Sequence, residues 1–331
     1  MAENEHSGVR RFLNEWLLPI AMVVGTAVYL LLANVDFFAP ARHTILEIVE
    51  ILMPVAIFLM LFFTFCKINP HDMKPRPWHA ATLLLQTVLT LACAFVIVRL
   101  LRPASPAELV AEGVLACLVS PTAAAAAVVT GKLGGSAASL TTYTIESNVL
   151  SAVLIPIICP LIHPTAGMHI LTAIALVLVR VSSMLVLPFV LAMLIRRVWP
   201  RIHARLAALK DVAFYIWGIS LTMVTGMTMR VVFAHLDRPL LVVALALGAL
   251  VVCAFKFTAG KLIGAATGRV DSITAGQALG QKNTNFTIWM ALTYLSPIAA
   301  VAPGAYVIWQ NIVNSWELWE MERSQKPAKG N

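Results

Sequence analysis

Ala278-Leu279-Gly280-Gln281-Lys282-Asn283-Thr284-Asn285 interrupts an apolar run that otherwise extends from 272 to 297. Lys282 lies about ten residues into that run, or ~15 Å at the rise of a helix. A second interruption, Ser120-Pro121-Thr122 followed by Ala123 to Ala127, falls inside the run 107–131. A bilayer span needs roughly 20 mainly apolar residues, and both runs are long enough. Eight more runs, 15–35, 44–66, 78–100, 136–160, 166–195, 208–234, 239–262 and 298–320, bring the number of predicted spans to ten. In the last of these Pro303 and Gly304 interrupt the start. Ten spans divide into halves of five, and an odd number per half turns the second half upside down. The two polar breaks occupy the fourth helix of each half. The reading is an all-α polytopic membrane protein, a single membrane domain over 1–331. It has ten transmembrane helices in two inverted five-helix repeats, about 15–160 and 166–320, with broken helices 4 and 9 crossing at the midplane.

Composition supports lipid as the solvent. The chain is 60% apolar and 12% charged, half the charged share of ordinary soluble domains, and its mean hydropathy is +0.84. The net charge of +8 is read as topology rather than nucleic-acid binding, since no basic cluster carries interleaved aromatics. Arg10, Arg11, Lys67, Lys74, Arg76, Lys132, Arg196, Arg197, Arg201, Arg205, Lys210, Lys256, Lys261, Arg269, Arg323, Lys326 and Lys329 fall on the side of the termini; Arg42, Arg99, Arg102, Arg230 and Arg238 fall opposite. That bias places both termini in the cytoplasm. The five cysteines lie in or beside apolar runs without a CxxC pair, which fits packed thiols better than metal ligands. The eight histidines are placed in loops or at helix ends, with no metal spacing. The first apolar run begins at Trp16 without a small-residue cleavage site and reads as a membrane helix. No nucleophile–base set or cofactor motif points to an enzyme.

The chemistry is expected at the breaks. Ser120-Pro121 has the pattern of a helix start, with Ser as N-cap and Pro in the first helical position. Asn283 or Thr284 can cap a second half-helix. Two such ends, each with free N–H groups and partial positive charge, would attract an organic anion. The candidate substrate-binding residues are Thr122, Asn283, Thr284, Asn311 and Arg180. By depth, Lys282, Glu146, Gln86, Pro121 and Arg180 share one layer near the bilayer centre. Charges there usually pair and usually matter, so Glu146 and Lys282 are expected to pair, as a static bridge or as a coupling pair. For Arg180 three roles stand open: binding a substrate carboxylate, snorkelling, or pairing with Glu146.

The stretch Gly280-x-x-Asn283, Tyr294-x-Ser296-Pro297, Pro303-Gly304-Ala305 and Trp309-x-Asn311 through Ser315 resembles the corresponding part of the bile acid:sodium symporter family. Leu154-Ile155-Pro156, Leu187-Pro188 and Arg196-Arg197 agree with it. The resemblance implies a panel and a core subdomain, crossed helices 4 and 9, and transport of organic anions, usually driven by sodium. It also marks departures. The family pattern of roughly Glu-x-Gly-x-Gln-Asn reads here Ala278-Leu279-Gly280-Gln281-Lys282-Asn283, and the Ser-Asn pair after the helix 4 break is replaced by alanines. Sodium needs several hard oxygen ligands, by the logic of other hard cations. Against the family, this chain removes several and adds an ammonium.

The expected function is therefore a secondary transporter of a small organic anion, sodium-independent, with Lys282 in place of the cation. The coupling site would comprise Lys282, Glu146, Gln86, Gln281, Asn148 and Ser147. No cofactor or metal is expected, and proton coupling is compatible with the pattern. The setting would be a bacterial inner membrane, with the chain as a monomer or weak homodimer. The alternative is a membrane sensor on a transporter fold, contacting a partner through the acidic run Glu317, Glu320 and Glu322.

Overall fold

The computed structural model describes residues 2–164, 167–209 and 212–325, and among them the regular elements are helical. In chain order these are α1 (Ala2–Asn34), α2 (Arg42–Phe65), α3 (Pro77–Leu100), α4 (Pro106–Val119), α5 (Ala126–Lys132), α6 (Ala137–Ile162), α7 (Ile170–Leu185) and α8 (Leu187–Val198). There follow α9 (Pro200–Ala208), α10 (Val212–Ala234), α11 (Pro239–Ala265), α12 (Arg269–Gly280), α13 (Thr284–Tyr294) and α14 (Val301–Gln325). Five of them, α2, α3, α6, α10 and α11, are long and apolar enough to cross a membrane, and α7 with α8 makes a sixth as one bent span. The chain is thus a polytopic helical membrane protein. Its outer surface carries large apolar side chains such as Leu240, Phe37 and Val179, 70–84% exposed, as a surface solvated by lipid requires.

Proline chemistry sets two of the three interruptions. The run 166–195, expected as one helix, is bent by 50° between α7 and α8. Pro188 lacks an N–H and its ring disfavours helical geometry in the preceding residue. The run 107–131 is divided at Pro121 into α4 and α5, and the run 272–297 at Gln281–Asn283 into α12 and α13. Pro303, expected to interrupt the last span, does not. It is the third residue of α14, where the N–H has no intrahelical partner to lose.

One group of helices, α1, α2 and α10, packs together with α8 against α2; another joins α11 to α12, α14 and α4, and α3 to α4 and α6. A large apolar cluster runs from Met53, Ile57 and Leu61 of α2 through Val181 of α7 to Phe286 and Met290 of α13. A second joins Leu245, Ala249 and Phe257 of α11 to Leu118 of α4 and Tyr306 of α14. The α11–α12 contact depends on missing side chains. A Cβ at Gly260 would lie 2.3 Å from Ala275 O, and one at Gly264 would lie 2.2 Å from Asp271 O. Small residues one turn apart let two helix backbones touch, and this contact fixes α12 beside α11.

Candidate functional site

The two breaks meet. Thr122 and Lys282 form an isolated antiparallel bridge, with Ala123 N donating to Gln281 O at 3.1 Å and Asn283 N to Pro121 O at 2.9 Å. Thr122, Gln281, Lys282 and Asn283 are all buried. Extended backbone in a protein interior has to find partners for its N–H and C=O groups, and each break supplies them to the other.

Ser120 does not act as a helix N-cap. It closes α4 as its C-cap in an extended conformation, and α5 starts at Ala126 without a side-chain cap. The reason is Pro121, which disfavours helical geometry in the residue before it. Asn283 does cap α13, its Oδ1 accepting from Phe286 N at 3.3 Å. The expected pair of capped half-helix starts is therefore reduced to one. The crossover is instead shaped by two helix C-termini.

Those ends leave carbonyls without intrahelical donors, and each is met by a different element. At α4 the missing N–H of Pro121 frees Cys117 O, while Thr122 N is diverted to Ser147 Oγ and Ala123 N to Gln281. Lys256 Nζ, from the middle of α11, donates to Cys117 O at 3.0 Å and Leu118 O at 2.8 Å. Ser151 Oγ donates to Val119 O at 2.7 Å, and Gln86 Nε2 lies 3.5 and 3.4 Å from Val119 O and Ser120 O. At α12, Thr122 Oγ1 donates to Ala278 O and Tyr306 Oη to Gly280 O, both at 2.7 Å.

Lys282 is 1% exposed. Its Nζ donates to Gln86 Oε1 at 3.0 Å and its backbone N–H to Gln310 Oε1 at 2.9 Å. The expected pairing with Glu146 is absent: Glu146 Oε2 lies 2.9 Å from His79 Nδ1, and the other ring nitrogen of His79 is 3.0 Å from Ser139 Oγ. Depth placed Glu146 and Lys282 in one layer, but Glu146 points from α6 toward the start of α3. Around Lys282 a buried chain continues toward the surface. Gln281 Nε2 bonds Asn314 Oδ1 at 3.1 Å and also Gln277 Oε1, and Gln277 Nε2 bonds Glu317 Oε2 at 2.7 Å. Glu317 Oε1 then meets Lys261 Nζ at 2.6 Å.

The other expected site residues divide. Gln86, Gln281, Ser147, Thr122 and Asn283 come together at the crossover. Thr284 is buried beside it, its backbone N–H bonded to Lys282 O. Asn148 is buried with neither amide atom bonded, and the Nδ2 of Asn283 and both amide atoms of Asn285 are likewise unpartnered. Asn311 spends its amide on its own helix, Nδ2 to Val307 O; Gln310 and Asn314, on the neighbouring stripe of α14, reach the site instead. Arg180 is exposed and does not pair with Glu146; its guanidinium lies 5.6 Å from the ring centroid of Trp289. Glu317, placed by the sequence reading on an acidic contact surface, is 7% exposed and internally bonded. Of that run, the side chain of Glu322 lies outside the described residues.

The largest omission is Lys256. Its place near the end of the run 239–262 makes it look like a charge of the terminal side, yet it is 0% exposed and sits on the broken end of α4. The signal was its position inside an apolar run, six residues short of a predicted boundary whose true end is Ala265. Glu112 was also missed. Buried on α4, it accepts from Ser296 N at 2.7 Å and contacts His163 Nε2 at 2.9 Å, tying α4 to the loop after α6 and to the start of the last span.

Residues 54–236, more than half of the chain and including the first break, match the family described as the Sodium Bile acid symporter family. No curated protein matches.

Proposed function

Proceeding from the fact that this chain belongs to the sodium bile acid symporter family, we propose that it is a secondary transporter of a small organic anion that runs without sodium. The observation that carries the reading is Lys282. Its side-chain nitrogen takes the Oε1 of Gln86 at the crossing of the two breaks, the oxygen that a cation would need there. Ala278 and the run Ala123 to Ala127 offer no side-chain oxygen. The donors left are a poor set for sodium, a hard ion that wants several oxygens.

In this reading the chain has ten spans in inverted repeats, counting α4 with α5 and α12 with α13 as one broken span each. Helices α1, α2, α7–α8 and α10 form a panel, and the rest form a core. The substrate anion is taken from the side of α13, where the unpartnered amides of Asn283 and Asn285 and the guanidinium of Arg180 over Trp289 offer donors. Thr122 and Thr284 belong to the same site, and Gln281, Ser147 and Asn148 to its support. Asn311, bonded to its own helix, yields its role to Gln310 and Asn314. Both termini are cytoplasmic, and the membrane is the bacterial inner membrane. Removing Lys256 from the terminal side does not reverse the charge bias on which the orientation rests.

The test is uptake into proteoliposomes of a radiolabelled bile acid and of a panel of small carboxylates. External sodium is replaced by potassium or choline at fixed pH and ionic strength. Uptake beyond stoichiometric binding and equal in the three salts is expected. A steep dependence on sodium would falsify the sodium-independent reading, and saturable binding without turnover would support a sensor.

A further inference from the structure

We infer that His79 and Glu146 form a proton-binding site, and that the proton it carries drives the cycle in place of sodium. The inference rests on the sodium-independent reading above and names the ion that reading leaves open.

Geometry carries it. His79 is the third residue of α3 and is 2% exposed. Both of its ring nitrogens face α6. Nδ1 lies 2.9 Å from Glu146 Oε2 and Nε2 lies 3.0 Å from Ser139 Oγ, about two turns apart on that helix. Neither Nδ1 nor Oε2 has another partner among the described residues. The side chain of His79 is 3% exposed and that of Glu146 27%, so the pair is closed at the imidazole and open to proton exchange at the carboxylate. Both helices are long and apolar enough to span a membrane, and ionisable groups within spans are rare and usually functional.

The imidazole and the carboxylate have no rival charge. Tyr143 faces the imidazole from α6, ring centroids 5.7 Å apart. The charged groups of the other helices packed against α3 and α6 are engaged elsewhere or stand exposed. Asp271 of α12 lies 3.7 Å from Arg76, and Lys261 of α11 lies 2.6 Å from Glu317. Lys256 of α11 sits on Cys117 O and Leu118 O, Lys282 on Gln86 Oε1, and Arg180 of α7 over Trp289. On α4, Glu112 meets His163 and Glu108 accepts from Ala104 N. Lys132 of α5 and Arg269 of α12 are exposed.

The chemistry follows. Empty, the pair is a neutral imidazole beside a carboxylate, with one net negative charge. A proton from water adds to the imidazole, forms one N–H bond and leaves an imidazolium–carboxylate pair of no net charge. Ser139 suits both states, because a hydroxyl can donate to a bare ring nitrogen or accept from a protonated one. Opposite charges attract where a neutral ring did not, so loading tightens α3 against α6. The crossover is tied to the next residue, since Ser147 Oγ accepts from Thr122 N at 3.1 Å. Trp78 and Tyr143, which flank the imidazole, pack with Ala126 of α5 and with Ala275 and Ala278 of α12, beside the two breaks. Release to water on the other side breaks the same N–H bond, and no co-reactant is needed. Such coupling is reciprocal: a bound proton raises affinity for the anion as much as a bound anion raises affinity for the proton.

The test uses proteoliposomes and a radiolabelled taurine-conjugated bile acid, whose sulfonate does not cross the bilayer as a free acid. Membrane potential is clamped with potassium and valinomycin. An inward gradient of one pH unit should drive accumulation to about tenfold, the limit for one proton per anion. Glu146→Gln and His79→Gln should lose that accumulation and keep counterflow of labelled against unlabelled probe, which shows that they fold and bind. Accumulation unchanged in both variants overturns the inference. So does wild-type uptake that is equal in sodium, potassium and choline and indifferent to the gradient, a result that leaves the sodium-independent reading standing. Steep sodium dependence with gradient-driven accumulation intact does the reverse. Where the probe is not carried, or a variant loses counterflow as well, ¹⁵N NMR of histidine-labelled wild type in detergent decides. The ring resonance that is absent from His79→Gln should pass from neutral to protonated between about pH 8 and 5; a resonance fixed across that range overturns the inference.

Discussion

Thr122→Val isolates one strut of the crossover. The two side chains have nearly the same shape, and Thr122 is 0% exposed, so the substitution deletes a hydroxyl and little else. That hydroxyl donates to Ala278 O at 2.7 Å and lies 3.4 Å from Ser147 Oγ. Ala278 O belongs to the last turn of α12. Its regular helical donor would be Lys282 N, which is committed to Gln310 Oε1. In the valine variant the carbonyl is buried without a donor, which costs about 1–3 kcal/mol. Domains of 150–250 residues lose about 2–4 °C of melting temperature per kcal/mol. For this larger chain a drop of a few degrees is therefore expected. The assay is thermal unfolding in detergent of wild type, Thr122→Val and Thr122→Ser. Serine keeps the hydroxyl and loses a methyl, so it should lie closer to wild type than valine. Valine melting at or above serine would refute the reasoning, because the strut would then contribute nothing beyond shape.

Two further perturbations test separate parts of the molecule. Gly260→Ala places a Cβ 2.3 Å from Ala275 O, a backbone atom that cannot step aside, so α12 must move from α11; thermal stability should fall by more than in Gly248→Ala, where the nearest atom is a side-chain methyl at 3.1 Å. At the other end of the core, His163 is hydrogen-bonded to Glu112, and that carboxylate raises the histidine pKa above its ordinary value against the opposing effect of partial burial. A raised folded pKa gives stabilisation that is full below the unfolded value of about 6.5 and is lost as pH rises through the folded one. The melting-temperature gap between wild type and His163→Gln should therefore be widest near pH 5–6 and narrow on the alkaline side; a gap that widens with pH contradicts the pairing.

The breaks were legible in the sequence because they are local. Pro121 lacks an N–H, and Gln281 to Asn285 place amides and an ammonium where apolar residues are expected. Depth was legible too, since rise per residue is fixed. What depth cannot give is rotation about the helix axis. Successive residues on a helix point about 100° apart, which is why Asn311 was expected where Gln310 and Asn314 reach inward, and why Glu146 was paired with Lys282 although it faces His79. Lys256 was missed for a third reason. Charge counting treats a lysine near the end of a span as a topology signal, and only the open carbonyls of Cys117 and Leu118 give this one a reason to be buried. Cys117 O is open because Pro121 lies four residues beyond it, and Leu118 O because Thr122 N turns to Ser147 Oγ, so half of the explanation was in the sequence, on another helix.

A cation held by a side chain imposes a different cycle from one that diffuses in. A carrier driven by a free ion resets when the ion leaves on the side where it is scarce, and the broken helix ends are then left with their partial charge exposed. Lys256 cannot leave. Its amino group remains on Cys117 O and Leu118 O unless it moves with α11, and Gly260 and Gly264, one and two turns further on, lock α11 to α12. Because α12 carries Lys282 through the break, the two amino groups belong to one packed unit, whereas the carbonyls they serve and Gln86 belong to α4 and α3. Relative motion of α11–α12 against α3–α4 would therefore strip both lysines of their partners at once, and a buried polar group left without a partner costs about 1–3 kcal/mol. The geometry thus ties any opening of the crossover to new partners for both amino groups.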